Sequence, residues 1–265
     1  MRLTIAHSPD SDDAYMMAPL ALGWLDPEGF TFDFVRKDIE TLNGEALEGR
    51  YEVTAISFGA YPELRETYQL LTAGSSIQEG TGPVVVSRAP LSREDLSGVT
   101  VAVPGLRTSA FLSLRRWLPG VKAEIVPFDR IMDEVAAGTY AAGLLIHESQ
   151  LMYQGLGLNK VVDLGAWWKA EHDLPLPMGG NAIRKDLPGD VKLRFASLMR
   201  RSVVTAMERH AESVAYAQSF GRGMDDEMIG RYVRAWVNEF TVDPGPRGRR
   251  AVDLLLGLEA GWIQG

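Results

Sequence analysis

The stretch EGTGPVVVSRAPLSREDLSG, residues 79–98, decides how the rest of the chain is read. It opens on Gly-Thr-Gly, runs through Val84, Val85 and Val86, and then breaks up into Pro90, Ser92 and Ser97. Glycine and proline clustered between periodic segments mark a connection, and this one reads as a crossing between two compact lobes. Before it, LTIAHS (3–8) is a strand and DDAYMMAPLALGWL (12–25) a helix. FTFDFV (30–35) alternates with period 2, IETLNGEALEG (39–49) is a short helix, and the strand YEVTAIS (51–57) enters the helix FGAYPELRETY (58–68). After it the same order returns: strand VTVAVP (99–104), helix RTSAFLSLRRWL (107–118), strand AEIVPF (123–128), helix DRIMDEVAAGTY (129–140), strand AAGLLIH (141–147). Strand-helix-strand-helix-strand, twice, predicts an α/β protein with mostly parallel sheets and right-handed crossovers. The two blocks share no evident residue identity, so the architecture repeats and the sequence does not.

VVDLGAWW (161–168) reads as a further short strand, GGNAIRK (179–185) as a strand returning to the first lobe, and everything from Val191 onward as helical. The expected lobes are residues 1–87 with 183–265, and residues 88–182, with a ligand cleft between them.

The composition of the 265 residues, 46% hydrophobic and 23% charged, is that of a globular chain with enough apolar material for a core. A formal net charge of −8 leaves no basic surplus for a nucleic-acid backbone, so nucleic acid is not an expected partner. Small anions need only a few local donors and stay open. The absence of cysteine removes disulfides, thiolate nucleophiles and cysteine-ligated metals. MRLTIAHSPDSDD lacks the apolar run of about 7–15 residues of a signal peptide. No stretch approaches the ~20 apolar residues of a membrane helix. A cytoplasmic protein without a membrane partner is expected.

Open α/β sheets bind ligands outside the carboxyl ends of their strands. Four such ends are polar here: His7 to Asp13, Ser57, Pro104 to Ser109, and His147-Glu148-Ser149. Ser57, Thr108 and Ser109 suit helix N-caps, and Asp10 to Asp13 suit the positive end of a helix dipole. The same helix starts also offer free N–H groups to an anion. Ser57 facing Thr108 and Ser109 would clamp a carboxylate. His147, after Leu144-Leu145-Ile146, suits a hydrogen-bonded core residue. Its place at a strand end suits equally a proton acceptor, because imidazoles in general titrate near pH ~6.5. Glu148, on the opposite face of a continuing strand, is the weaker candidate, and Ser149 is as well explained by structure. The Trp167-Trp168 pair suits core packing or stacking on an aromatic ligand. His172 and His210 carry no assigned role.

Familiar motifs fail. HESQL lacks the second histidine of a zinc-protease helix. Read as a calcium loop from Asp10, the chain has Tyr15 at the sixth position and Ala21 at the twelfth, where glycine and glutamate are needed. GLGLNK lacks the third glycine of a dinucleotide fingerprint, and no nucleophile elbow or phosphate-binding loop is found. Neither a metal nor a cofactor is expected.

In order along the chain, KDIETLNGEALEGRYEVTAISFGAY, GPVVVSR, VAVPGLRTSAF, AGLLIHES, VVDLGAWW and LPLPMGGNAIRKDL resemble the 1,4-dihydroxy-6-naphthoate synthase family of the futalosine route to menaquinone. The resemblance runs from about Leu3 to Leu187, with a looser fit in the tail. It implies a fold similar to type II periplasmic binding proteins, in agreement with two lobes. It also implies a lyase that releases 1,4-dihydroxy-6-naphthoate from cyclic dehypoxanthinylfutalosine without metal or nucleotide. The family's proposed base, the histidine of its IHES motif, falls on His147, and its polar ligand contacts fall on Ser57, Thr108 and Ser109. The family's N-terminal loop typically reads Ser-Pro-Cys-Pro-Asn-Asp-Thr. Here it reads Ser8-Pro9-Asp10-Ser11-Asp12-Asp13-Ala14, which puts a carboxylate, Asp12, in place of the amide as a substrate contact. A carboxylate beside an anionic ligand repels it unless protonated or turned to hydroxyls, so the change bears on substrate preference. A sister family making an earlier intermediate shares the fold, but GLLIHES and DLGAWW favour the synthase. The competing reading is a cytosolic protein that captures a small carboxylate without transforming it.

Overall fold

The computed structural model describes residues 1–147, 149–220 and 226–265. Glu148, the weaker candidate at the end of AAGLLIH, lies outside the described residues. The chain forms two compact units, Met1–Ile77 with Pro177–Gly265, and Gln78–Leu176.

The first unit opens with β1 (Arg2–His7), α1 (Ser11–Ala21), β2 (Thr31–Arg36), α2 (Ile39–Leu47) and β3 (Val53–Ser57). A 3₁₀ turn (Phe58–Ala60), α3 (Tyr61–Leu64), β4 (Tyr68–Leu71) and β5 (Ser76–Gln78) follow. The second unit holds β6 (Val84–Ser87), α4 (Arg93–Leu96), β7 (Thr100–Val103), α5 (Ser109–Trp117), β8 (Lys122–Ile125) and α6 (Phe128–Ala137). It continues through β9 (Ala142–Leu145), α7 (Ser149–Met152), β10 (Asn159–Asp163) and α8 (Leu164–His172). β11 (Leu176–Arg184) returns the chain to the first unit, where α9 (Gly189–Glu208), α10 (His210–Gln218), α11 (Asp226–Trp236), α12 (Glu239–Val242), α13 (Gly245–Leu256) and β12 (Trp262–Ile263) complete it.

Each unit is built on a mixed sheet. In the first the order is β12-β4-β11-β3-β1-β2, with β5 also on β11. β1 is parallel to β2 and β3, while β11 runs antiparallel to β3 and β4. In the second the order is β10-β6-β9-β7-β8. β7 is parallel to β8 and β9, and β6 is antiparallel to β9 and β10. The parallel blocks are the two periodic repeats of the sequence. The crossings, expected after residues 87 and 182, come earlier: β6 hydrogen-bonds β9 and β10 and so belongs to the second unit's sheet, and β11 pairs with β3 of the first unit from Gly179 onward.

α1 is buried from Ser11 through Leu20, which its apolar run AYMMAPL permits on every face. It joins Leu3, Ile5, Phe195, Leu198 and Met199 in the main core of the first unit. In the second unit Val84, Val86, Ala102, Leu145, Ile131 and Val135 form the corresponding core. At a typical ~1.5–3 kcal/mol for each fully buried large aliphatic side chain, such clusters are what offset the chain entropy of folding. Among the described residues no helix is long and apolar enough to cross a membrane.

Four local expectations need correction: the chain after Val191 is not helical throughout, since β12 is a strand paired with β4, and three others follow. The run VVDLGAWW stops being a strand at Asp163, whose side chain accepts from the N–H groups of Gly165 (2.9 Å) and Ala166 (3.0 Å) and starts α8. FGAYPELRETY is only two short helical turns, and its tail becomes β4, pinned by antiparallel pairing with β11. The strand expected to reach His147 ends at Leu145.

Candidate active site

Parallel strands place their carboxyl ends on one edge of a sheet. In the first unit that edge carries the loop after β1, the end of β3 at Ser57, and the chain after β4. Asp10 caps α1, its Oδ1 accepting from Asp13 N–H at 3.2 Å. Asp12 is buried and its Oδ2 accepts from the Ser76 hydroxyl at 3.1 Å, which ties the loop to β5. The substituted carboxylate of the N-terminal loop thus meets a hydroxyl donor of its own chain.

His7 ends β1 fully buried, edge-on to Phe34. Its Nδ1 lies 2.8 Å from the Ser8 carbonyl, an acceptor, so Nδ1 carries the proton; Nε2 is buried and finds no partner among the described residues. Burial pushes its pKa down, against the Ser8 carbonyl, and keeps the ring neutral.

Asp13, on the same loop, is buried as well. Its Oδ2 accepts from Ser8 N–H at 2.8 Å. Burial first, and then the charge of Asp10, hold its pKa well above the usual carboxylate range despite that bond. Such a group binds its proton more tightly in the folded chain. Its stabilising contribution is complete below the ordinary carboxylate pKa of about 3.9 and is lost as pH rises through the raised value. Asp13→Asn keeps an acceptor for Ser8 N–H and cannot ionise. Its melting temperature should therefore gain on the wild type as the pH is raised from the ordinary carboxylate pKa of about 3.9. A gain of roughly 2–4 °C is expected, the shift that about 1 kcal/mol produces in a chain of this size. A difference that does not change with pH would show that Asp13 titrates like an exposed acid.

Ser57 and Thr108 hold similar places in the two units and behave differently. The Thr108 hydroxyl caps α5: it accepts from Phe111 N–H at 3.1 Å and donates to the Gly105 carbonyl at 2.9 Å. Its proton is therefore spent on the protein. Ser57 heads the 3₁₀ turn but makes no side-chain cap bond. Instead it faces Asn43 of α2, a fully buried residue that the motif reading passes over. The signal for it was an asparagine-glycine pair inside a helix, where both residues are poor formers. Ser109, the first residue of α5, is buried, and its carbonyl accepts from the Ser113 hydroxyl at 2.8 Å.

In the second unit β7, β8 and β9 send their carboxyl ends to the same edge, toward Thr108, Phe128 and His147. His147 sits in a turn two residues past β9 with φ +52°, a left-handed backbone uncommon for a residue with a side chain. Its ring lies edge-on to Phe128 at 5.1 Å between centroids. Trp168 is buried, with Nε1 donating to the Pro175 carbonyl at 3.0 Å and its ring 4.2 Å from that of His172. Core packing accounts for it, while Trp167 is half-buried.

The fold defines the class first. A Candida albicans protein described as having the generic periplasmic binding protein structural fold aligns with TM-score 0.71, covering 97% of this chain and 91% of its own, at 12% identity. This chain has that periplasmic-binding-protein-like fold. A profile described as "Menaquinone biosynthesis" matches residues 3–260. The 1,4-dihydroxy-6-naphtoate synthase of Thermus thermophilus is 39% identical over 250 residues, 94% of this chain and 91% of the relative. A crystal structure of an Archaeoglobus fulgidus protein superimposes with TM-score 0.92 at 40% identity, covering 97% of this chain and 96% of that one. The chain belongs to the menaquinone-biosynthesis family and is an enzyme of that pathway.

Proposed function

We propose that the protein is a carbon–carbon lyase converting cyclic dehypoxanthinylfutalosine to 1,4-dihydroxy-6-naphthoate, with His147 as general base. The observation that carries the reading is the backbone of His147. A left-handed conformation at a residue with a side chain costs roughly 1–2 kcal/mol, and such strain collects at functional sites. It falls on the histidine that the family resemblance assigns to proton abstraction, and the 39% identity to the Thermus synthase supports the same reaction.

In this reading the His147 imidazole takes an acidic C–H proton from the substrate. Elimination with carbon–carbon cleavage then leaves the aromatic naphthoate. The remaining residues position rather than react. Ser57 donates to an oxygen of the substrate. Because the Thr108 proton is committed to Gly105, the first-turn N–H groups at Ser109, rather than the Thr108 hydroxyl, meet the carboxylate. In this reading Asp12, which accepts from the Ser76 hydroxyl, also accepts from substrate hydroxyls. No metal or nucleotide enters the reaction.

The purified protein should convert cyclic dehypoxanthinylfutalosine to 1,4-dihydroxy-6-naphthoate with nothing added, as followed by chromatography. Tight binding of that compound without product would instead favour a carboxylate-capturing protein of the same fold.

A further inference from the structure

Asn43 holds Ser57 by two bonds at once. Ser57 N–H donates to Oδ1 at 2.9 Å, and Nδ2 donates to Ser57 Oγ at 3.1 Å. The roles are fixed by elimination: a backbone N–H can only donate, so the atom facing it is the amide oxygen and the other is the NH₂ group. Ser57 Oγ is therefore an acceptor toward Asn43, and neither bond takes up its own proton.

The helix carrying Asn43 is anchored on both sides. Asp38 caps α2, accepting from Thr41 N–H at 3.0 Å, and Glu45 is bound by Lys37 (2.7 Å), Arg50 and the Tyr51 hydroxyl (2.7 Å). Leu42 and Ala46 on the same helix are fully buried. A single side chain thus presents the strand-end hydroxyl in one rotational sense, at the edge of the sheet where α/β proteins take ligands.

We infer that Asn43 is a positioning residue that fixes Ser57 as a hydrogen-bond donor, so that the substrate group meeting Ser57 is an acceptor, a carboxylate or carbonyl oxygen. This rests on the lyase reading in taking Ser57 as a substrate contact.

A double-mutant cycle tests it with two readouts: calorimetric binding of 2-naphthoate, an aromatic carboxylate probe, and KM against kcat for cyclic dehypoxanthinylfutalosine. Asn43→Asp is isosteric: one carboxylate oxygen keeps Ser57 N–H, and the other accepts from the Ser57 hydroxyl, turning its proton inward. Any repulsion from the new charge is common to both Ser57 backgrounds and cancels in the cycle. Losing a hydrogen bond to a charged ligand should weaken binding and raise KM at least about tenfold in Asn43→Asp and in Ser57→Ala, with kcat less affected. The expected signature is non-additivity: in the Ser57→Ala background the Asn43 substitution costs at least about tenfold less. Should the buried carboxylate prevent folding, Asn43→Ala removes both bonds without a charge and must show the same coupling. Losses that simply multiply, or an Asn43→Asp protein that binds like the wild type, overturn the inference. So does a wild type that does not bind 2-naphthoate. A wild type that binds 2-naphthoate but never turns over the cyclic substrate overturns the lyase reading instead, and the cycle then judges the clamp on binding alone.

Discussion

Replacing His147 with alanine should lower kcat for cyclic dehypoxanthinylfutalosine by about 10²–10⁴, the usual contribution of a positioned general base. The melting temperature should stay near that of the wild type, because the residue is only half-buried and lies in a turn outside the sheet. One complication is built into the position. Alanine at φ +52° pays for a left-handed backbone that histidine tolerates better, so the turn could relax as well as lose its imidazole. His147→Asn separates the two effects, since asparagine accepts the left-handed region readily and has no basic nitrogen. Both variants should be equally inactive. If the asparagine variant turns over at near the wild-type rate, the turn matters and the imidazole is not the base.

Gly165→Ala should be the most destabilising small substitution in the second unit. Gly165 opens α8 against the chain that enters β6, and a Cβ there would lie 2.1 Å from both the carbonyl carbon and the oxygen of Thr81. Backbone, not a movable side chain, occupies the space. The contact is also held by bonds: Thr81 donates to Asp163 at 3.2 Å, and Leu164 N–H donates to the Pro83 carbonyl at 2.9 Å. Forcing the two segments apart breaks these as well as the packing. The cost should reach the upper end of the ~1–3 kcal/mol typical of overpacking. That lowers the melting temperature by roughly 6–12 °C. Gly155→Ala, where a new methyl meets nothing within 4 Å, is the control and should change little. Equal melting temperatures for the two variants would mean that the α8–β6 contact is not tight in solution.

Much of the architecture was legible because its signals are local. The two parallel blocks, β1–β3 and β7–β9, each announce themselves by alternating or continuous apolar runs bounded by turn residues, and the helices between them by their own period. What escaped depends on distant partners. Residues 68–71 become β4 because β11 and β12, both more than a hundred positions later, pair with them on either side. β-structure is set by such neighbours more than by intrinsic preference. The DLGAWW segment carries β-compatible side chains, yet Asp163 finds two N–H groups and turns it into a helix.

The candidate site divides the same way. Ser57, Thr108 and Ser109 were readable as strand-end hydroxyls, and the family resemblance singled out His147. No pattern, however, separates a capping hydroxyl from one with a proton to give. That distinction lies with Gly105 for Thr108 and with Asn43 for Ser57, partners fixed only by the fold.

The order of strands also dictates an order of assembly. The second unit is one uninterrupted piece of chain, Gln78–Leu176, and has every strand of its sheet as soon as that piece has been synthesised. At that moment the first unit still lacks β11, the strand that joins β3 to β4, and β12 beyond it. Ser57 ends a strand with one unpaired edge until Gly179 arrives opposite it. A half-built sheet with an open edge is the exposed, association-prone stage of folding. The nascent chain therefore carries its finished unit behind its vulnerable one, and the β3–β11 pairing is the event that closes the open edge of β3.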